Sequence, residues 1–352
     1  MKMKRMGFGS MKLKILPVLV LLVIGLSLFA SGCTGPGENQ GDEGAGNGTE
    51  AGVVEEPIIV AVSVLPQAEF VEKVGGDRVK AVVMIPPGAS PATHEPSAGQ
   101  LREVSEARMY AIVGAGLPFE EVWMDKIEAV NSEMLVVDCS KGIELRELAA
   151  HNHGDEEGDV HAEGSGEGYA EELEGDLEGE PGAEGEEHAH EGLDPHIWTS
   201  PANAKIMVQN IYEGLVEVDP ENEAYYAANR DAYLEELDAL DARIRAKLEG
   251  RKERSFMVFH PSWGYFAADY GLNMIPIEIE GKEPSAQDLT RLISVAKEKN
   301  VKVIFIQAQF STRSAEAVAE EIGGEVVVVD PLAKDYIANM DEVSDIFARN
   351  LV

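Results

Sequence analysis

From about residue 57 to the C-terminus, short apolar runs alternate with amphipathic stretches. Eight of the apolar runs are rich in Val, Ile, Phe and Met, which is typical of buried strands, and the stretches between them favour helices. This alternation predicts an α/β fold with mostly parallel sheets. The predicted strands are residues 58–64, 79–85, 109–113 and 134–137 in the first half, and 256–259, 274–279, 301–306 and 325–329 in the second.

A long helical region separates the two sets of four strands. It begins after Thr199-Ser200-Pro201, because proline suits the first turn of a helix. It is interrupted at Asp219-Pro220 and resumes to about residue 249, with leucines at helical spacing. A helix of about 30 residues is roughly 45 Å long. We therefore expect two lobes, each with a mostly parallel four-stranded sheet, joined by a long rigid spine helix.

The N-terminal segment has the features of an export signal. Basic residues precede an apolar run at residues 15–30, which is shorter than the roughly 20 residues of a membrane-spanning helix. The run ends in small residues followed by Cys33. This pattern resembles a lipoprotein signal, in which the cysteine receives a lipid, and an uncleaved signal anchor is the alternative. Either one places the body outside the cytoplasm, tethered to the membrane.

The charge is strongly acidic and unevenly distributed. The chain has 64 acidic and 29 basic side chains, a net charge of −35. Residues 33–56 carry six acidic and no basic side chains, and residues 151–192 carry 16 acidic side chains and no Lys or Arg. Such segments contain too little apolar surface to fold. No basic patch compensates for this charge, so we expect no nucleic-acid partner.

These features divide the chain into five predicted parts. They are a signal segment at 1–32, a flexible linker at 33–56, an N-terminal lobe at 57–215 that includes the acidic segment 151–192, a spine helix at 216–249, and a C-terminal lobe at 250–352.

The eight histidines fall into two groups. His94, His196 and His260 belong to the predicted folded body, each in a loop-like context beside a proline. His94 and His260 follow predicted strands, as does Asp330, and His196 precedes a helix. The other five histidines lie in the acidic segment: His151, His153, His161, His188 and His190.

The four polar residues of the body form a candidate metal site. Ligands of parallel α/β sheets bind beyond the carboxyl ends of the strands, so two facing lobes would bring these residues into one cleft. Three imidazoles and a carboxylate suit Zn²⁺, whereas Ca²⁺ and Mg²⁺ prefer all-oxygen shells. Each residue also has a structural alternative. A histidine in a proline-rich turn can cap a helix or bond the backbone, and Asp330-Pro331 can simply form a turn.

Three motifs resemble, in order, those of substrate-binding proteins of ABC transporters for high-affinity zinc uptake, a family that also includes manganese and iron binders. The resemblance extends over residues 57–352. It implies that His196, His260 and Asp330 are ligands of a metal held between the lobes of a monomeric protein. It also implies an ABC permease and its ATPase as partners, and no enzymatic activity. The motifs are Asp194-Pro195-His196-Ile197-Trp198-Thr199-Ser200-Pro201, Phe259-His260-Pro261-Ser262-Trp263-Gly264-Tyr265-Phe266 and Val329-Asp330-Pro331-Leu332.

The chain departs from the family pattern at Ala92, where the family usually has a histidine. His94 follows two residues later. In an extended segment, residues two apart point the same way, so we expect His94 to supply the missing imidazole. The acidic segment also resembles the histidine-rich loop of zinc-specific members. Its five histidines are predicted to capture divalent cations weakly, and a solvated spacer is the alternative.

The leading hypothesis is a protein that captures Zn²⁺ outside the membrane and delivers it to a permease. Imidazole ligands favour zinc over manganese, although a manganese or iron type of the same family stays open. A metal-buffering or adhesin-like lipoprotein is a further alternative. A zinc hydrolase is disfavoured, because the chain has no His-Glu-x-x-His motif and a closed four-ligand shell leaves no position for substrate. Glu278, Glu280 and Glu283 could reach the cleft, but we expect at least two of them to be solvated.

Overall fold

The computed structural model describes residues 56–148, 192–278, 282–310 and 312–351. The predicted signal segment, Cys33, nearly all of the linker, and the five histidines of the acidic segment lie outside these ranges. Within the described ranges, no helix is both long enough and apolar enough to cross a bilayer.

The first half of the chain forms a four-stranded parallel sheet. Its strand order is β2-β1-β3-β4. Helices connect the strands, and the two central strands are largely buried, as expected when helices cover a parallel sheet. The elements are β1 (Ile58–Val62), α1 (Leu65–Gly75), β2 (Val79–Val83), α2 (Ala98–Ser105), β3 (Met109–Ile112), α3 (Pro118–Val130) and β4 (Leu135–Asp138).

A second parallel sheet of the same design follows in the C-terminal half. Its strand order is β6-β5-β7-β8, with β5 central and β8 at one edge. The elements are β5 (Ser255–Val258), α6 (Gly264–Asp269), β6 (Asn273–Pro276), α7 (Ala286–Glu298), β7 (Val303–Ile306), α8 (Arg313–Ile322), β8 (Glu325–Val328) and α9 (Tyr336–Asn350).

Two helices link the sheets, α4 (Pro201–Val218) and α5 (Glu223–Leu248). The Ser200 side chain caps α4 by accepting a hydrogen bond from the Asn203 backbone N–H. Pro220 lacks an N–H and opens a short 3₁₀ turn, so the long helix begins later than the predicted spine segment 216–249. With 26 residues, α5 is about 39 Å long.

Among the described residues, one large apolar cluster extends through both halves, and a second, smaller cluster lies in the C-terminal half. The helix α5 packs against α1 and α4 of the first half and against α9 of the second. Its buried face includes Tyr233, Leu237 and Ile244. In the second half, Phe347 of α9 stacks on Phe305 of β7 with ring centroids 4.2 Å apart. Because side chains of both sheets belong to the same cluster, the two lobes are held as one packed body.

The predicted fold class, two lobes with four-stranded parallel sheets and a long helix, is confirmed. Where a turn begins within a predicted apolar run, the strand ends before the run does. At the end of β1, for example, the backbone N–H groups of Ser63 and Val64 donate to the Gln67 side chain, which starts α1 instead of extending the strand.

A buried carboxyl group lies at the carboxyl edge of the first sheet. The Glu120 side chain, 5% exposed, accepts hydrogen bonds from the Ser63 hydroxyl and from the backbone N–H groups of Val113 (2.6 Å) and Gly114 (2.9 Å). Burial raises the pKa of Glu120 to about 7, against the opposing effect of these hydrogen bonds. The native state therefore binds this proton more tightly than the unfolded chain does.

A raised pKa in the folded state stabilises the protein at low pH, and the stabilisation is lost as pH rises toward 7. We expect the free energy of unfolding, relative to a Glu120→Gln variant, to fall by a few kcal/mol between pH 5 and pH 8, at about 1.4 kcal/mol per pKa unit. Urea unfolding at both pH values measures the difference. The exposed neighbour provides a control, Glu121→Gln, which should show no such change. If the free energy of unfolding differed between the wild type and Glu120→Gln by the same amount at pH 5 and at pH 8, the account would be contradicted.

Candidate metal centre

A cavity of about 340 Å³ lies where the carboxyl ends of the two sheets face each other. His196 enters it from the segment before α4, and His260 enters it two residues after β5. Glu278, which follows β6, and Gln307, which follows β7, also contribute to its wall. The cleft thus takes side chains from both halves of the chain.

Asp194 holds His196 in place. The Asp194 carboxylate is buried and accepts hydrogen bonds from the His196 backbone N–H (3.0 Å) and from Nδ1 of its ring (2.7 Å). The ring also packs edge-on against Trp198, with centroids 5.4 Å apart. The sequence analysis did not assign a role to Asp194, although its position two residues before the histidine was a usable signal.

Glu278 holds His260 in a similar way. Nδ1 of His260 donates to Glu278 Oε1 at 2.5 Å, and the Glu278 side chain is buried. The His260 ring stacks on Phe310 with centroids 5.1 Å apart. Glu278 is therefore the one of the three predicted cleft glutamates that lines the cavity, whereas Glu283 is exposed and Glu280 lies outside the described residues.

The two rings meet through their other nitrogens. His196 Nε2 lies 3.2 Å from His260 Nε2. A carboxylate that is ionised only accepts hydrogen bonds, so an Nδ1 that bonds it carries the ring proton, and a ring in this tautomer presents a lone pair at Nε2. Two facing lone pairs repel each other unless a proton or a cation lies between them. With bonds of about 2.05 Å, two ligands of a tetrahedral Zn²⁺ are about 3.3 Å apart, which matches the observed distance.

The surroundings favour a cation and a neutral imidazole. The residues described as lining the cavity include the carboxylates Glu121 and Glu278 but no Lys or Arg. Burial lowers the pKa of His196 below its ordinary value, and the Asp194 carboxylate opposes this only in part. His196 is therefore neutral, and able to bind a metal, at pH values where an exposed histidine begins to protonate.

His94 does not line the cavity, but Ala92 does. The His94 ring stacks on Phe119 with centroids 6.0 Å apart, and its Nε2 is buried without a hydrogen-bond partner. The expectation that this stretch is extended is wrong. The backbone N–H groups of Thr93 and His94 both donate to the Ser90 carbonyl, which forms a turn, so residues 92 and 94 do not share one side. A ligand role for His94 stays a prediction.

Asp330 lies just outside the cavity wall. Its side chain is exposed, and Oδ1 accepts a hydrogen bond from the Leu332 backbone N–H at 2.8 Å. The next residue, Pro331, lines the cavity, and its carbonyl accepts a hydrogen bond from Trp198 Nε1 at 2.7 Å. Asp330 forms the turn that was its structural alternative, and its ligand role stays a prediction.

Of the four predicted ligands, the structure brings together His196 and His260. In the described part of the chain, no group of three or more His, Cys, Asp or Glu side chains is arranged to hold a metal ion. The site is therefore a pair of oriented imidazoles, with each Nδ1 bonded to a carboxylate, facing an open cavity.

Comparison with known proteins identifies the family. Residues 60–350 match the family of zinc-uptake complex component A, periplasmic. The chain belongs to this family. The predicted resemblance is thereby confirmed. Members of this family are components of a transport complex and not enzymes.

Individual relatives are moderately similar to this member of the zinc-uptake family. The high-affinity zinc uptake system protein ZnuA of Bacillus subtilis is 29% identical over 277 residues, 78% of each chain. The zinc-binding lipoprotein AdcA of Streptococcus pneumoniae is 28% identical over 275 residues. That match covers 78% of this chain but only 50% of AdcA, so the chain spans about half the length of that relative.

Solved structures agree with the family assignment. A crystal structure of ZnuA is 38% identical, with a TM-score of 0.70, and the match covers 84% of this chain and 100% of that one. A deletion mutant of ZnuA with zinc bound has the same identity and TM-score, and the match covers 98% of its chain.

The Asp194 carboxylate should control the protonation of His196. Burial lowers the pKa of His196, and the hydrogen bond to Asp194 raises it. An Asp194→Asn variant should therefore have a His196 pKa lower than that of the wild type. NMR titration of the imidazole resonances measures it, with Asp341→Asn on α9 as the control. An unchanged or higher His196 pKa in Asp194→Asn would show that the carboxylate does not act on the ring.

Proposed function

We propose that this protein captures Zn²⁺ outside the cytoplasm and delivers it to an ABC permease driven by its ATPase. The observation that carries the proposal is the 3.2 Å approach of His196 Nε2 and His260 Nε2, each in a ring whose Nδ1 is bonded to a buried carboxylate. Family membership and the zinc-related names of the relatives support the same function.

The chemistry of the pair favours a borderline-soft divalent metal. Zinc would take both Nε2 atoms, while the carboxylates of Asp194 and Glu278 keep the rings oriented and increase their basicity. Imidazole ligands favour the binding of zinc over that of manganese, because manganese prefers oxygen-rich shells. Asp330 and His94 are the proposed further ligands. Asp330 would have to release its hydrogen bond to the Leu332 N–H, and His94 offers an Nε2 that has no protein partner.

The N-terminal features complete the proposal. Cys33 carries a lipid, or the uncleaved signal acts as an anchor, and the body works as a monomer at the outer face of the membrane. The zinc-binding lipoprotein among the relatives supports the lipid anchor.

The acidic segment is proposed to capture divalent cations near the cleft through its five histidines. Leu148 and Gly192, the described residues that flank residues 149–191, both line the cavity. The Leu148 backbone N–H donates to the Gly192 carbonyl at 2.6 Å. Both residues that flank the segment therefore lie at the rim of the cavity, so an ion bound weakly by the segment would be released close to the imidazole pair.

Zinc titration of the purified protein by calorimetry tests the site. We expect one tight Zn²⁺ site that is abolished in His196→Ala and in His260→Ala, because each variant removes one of the two converging donors. His94→Ala and Asp330→Ala each remove a proposed further ligand and should therefore weaken Zn²⁺ binding. The loss should be only about tenfold each, because neither side chain lines the cavity. Circular dichroism checks that the variants fold. Tight binding that survives in His260→Ala would exclude this cleft as the zinc site.

Removal of residues 149–191 separates the two proposed kinds of binding. We expect the variant to keep the tight site, because the cavity is built from residues of the folded body, and to lose the weak additional sites. Calorimetry with excess Zn²⁺ measures both classes of site. A matched variant that replaces only the five histidines of the segment with serine should lose the same weak sites. If the deletion removed tight binding, the assignment of the site to the cleft would be wrong.

A further inference from the structure

The segment that carries His260 continues directly into helix α6 of the second lobe. Gly264 and Tyr265, the first two residues of this helix, follow His260 by four and five positions. The start of the helix is fixed by packing, because Trp263 is buried and lies edge-on against Phe266 with ring centroids 5.8 Å apart. The contacts of Gly264 and Tyr265 are therefore held at a set distance from His260.

Tyr265 reaches from the second lobe to the backbone of Asp194 in the first. Its side chain is buried, and its hydroxyl donates a hydrogen bond to the Asp194 carbonyl at 3.2 Å. The same hydroxyl accepts a hydrogen bond from the Arg146 backbone N–H at 3.1 Å. The Asp194 backbone N–H in turn donates to the Arg146 carbonyl at 2.8 Å. Both backbone polar groups of Asp194 are thus bonded, and one of the bonds comes from the opposite lobe.

Gly264 leaves room for the carboxylate of Asp194. Oδ1 of this buried carboxylate accepts the hydrogen bonds from the His196 backbone N–H and from the ring Nδ1. The other oxygen, Oδ2, lies so near Gly264 that a methyl group on this glycine would be 2.5 Å from it. Non-bonded heavy atoms pack best at about 3.5–4.0 Å. A side chain at position 264 would therefore push the carboxylate out of its place.

The place of this carboxylate matters for metal binding. A carboxylate bonded to Nδ1 fixes the tautomer and the orientation of a ligating imidazole, and its loss typically costs about 10–100-fold in metal affinity. The Nδ1 of His196 lies 2.7 Å from Asp194 Oδ1. A displaced carboxylate would lengthen this bond and let the ring turn away from His260.

We propose that Gly264 and Tyr265 are positioning residues of the metal site. They act through Asp194, whose carboxylate orients the His196 ring. One segment of the second lobe then carries His260 and also fixes the imidazole that the first lobe contributes. The inference rests on the proposed zinc-binding function, because it assigns residues that set the affinity of that site.

Calorimetric Zn²⁺ titration of single and paired variants tests the assignment. Tyr265→Phe removes only a hydroxyl and Gly264→Ala adds only a methyl group, and we expect each to weaken tight binding about tenfold. Asp194→Ala should weaken it at least as much. Added to Asp194→Ala, either substitution should lower the affinity by less than about twofold more, because the carboxylate through which it acts is gone. Losses that simply multiply would show that the two residues serve only the packing of the core.

Matched controls change the same groups away from the cleft. Tyr270→Phe removes a hydroxyl that donates to Asp241 of α5 at 2.9 Å. Gly99→Ala adds a methyl group in the first turn of α2, where the nearest atom would be 3.6 Å away. Both variants should leave the Zn²⁺ affinity unchanged, because neither residue contacts the hydrogen-bonded segment that carries His196.

NMR of the metal-free protein follows the same contact without zinc. The Nδ1–H proton of His196 should give a resolved signal in the wild type and in both controls, and it should broaden through exchange with water in Tyr265→Phe and Gly264→Ala. If these two variants kept the signal, or bound Zn²⁺ as tightly as the wild type, the inference would be overturned while the zinc function stood. If the wild type bound no Zn²⁺ tightly, the proposed function and the inference that rests on it would both fail.

Discussion

The apolar core that continues from one lobe to the other determines where the two histidines can lie. Because α5 packs on helices of both halves, the carboxyl edges of the two sheets are held at a fixed separation. Hydrogen bonds at the base of the cleft strengthen this connection: Tyr336 of the second lobe donates from its hydroxyl to the Trp198 carbonyl, and its backbone N–H donates to Glu69 of α1. His196 and His260 come from segments 64 residues apart and still meet in one cleft. The site is pre-organised by packing, so little ordering remains to be done when a metal binds.

The same rigidity limits what the other predicted ligands can do. Domains that share a core do not hinge freely, so Asp330 and His94 can reach the imidazole pair only through movement of their own loops. Both loops are closed by local hydrogen bonds, from Leu332 N–H to Asp330 and from His94 N–H to the Ser90 carbonyl. Rearranging such a turn costs about as much as the bonds it breaks, roughly 1 kcal/mol each. Strong binding at this centre therefore depends mainly on the two histidines and on the buried carboxylates bonded to them.

Much of the architecture could be predicted from the sequence, because buried parallel strands and a long amphipathic helix leave clear patterns. The eight apolar runs marked the eight strands, and prolines at 201 and 220 marked where α4 begins and where it must end. The convergence of His196 and His260 followed from their positions in the two halves. The turn at residues 90–94 could not be predicted, because its proline and small residues are compatible with both an extended chain and a turn, and the Ser90 carbonyl decides between them only in three dimensions. Glu278 was uncertain for a similar reason, since a carboxylate after a strand is buried only if a partner such as His260 is already in place.

One local feature explains how this fold can carry 43 residues of low-complexity sequence between two residues of its cleft wall, Leu148 and Gly192. A β-bridge joins Glu147 to Leu193, and the Leu148 N–H bonds the Gly192 carbonyl, so the chain is already closed before the acidic segment begins. Closing a longer loop is cheap, since each doubling of its length costs only about 0.6 kcal/mol. Natural selection is therefore free to lengthen, shorten or recompose this insert without destabilising the body. The same closed junction is a suitable place to graft a reporter domain beside the cleft.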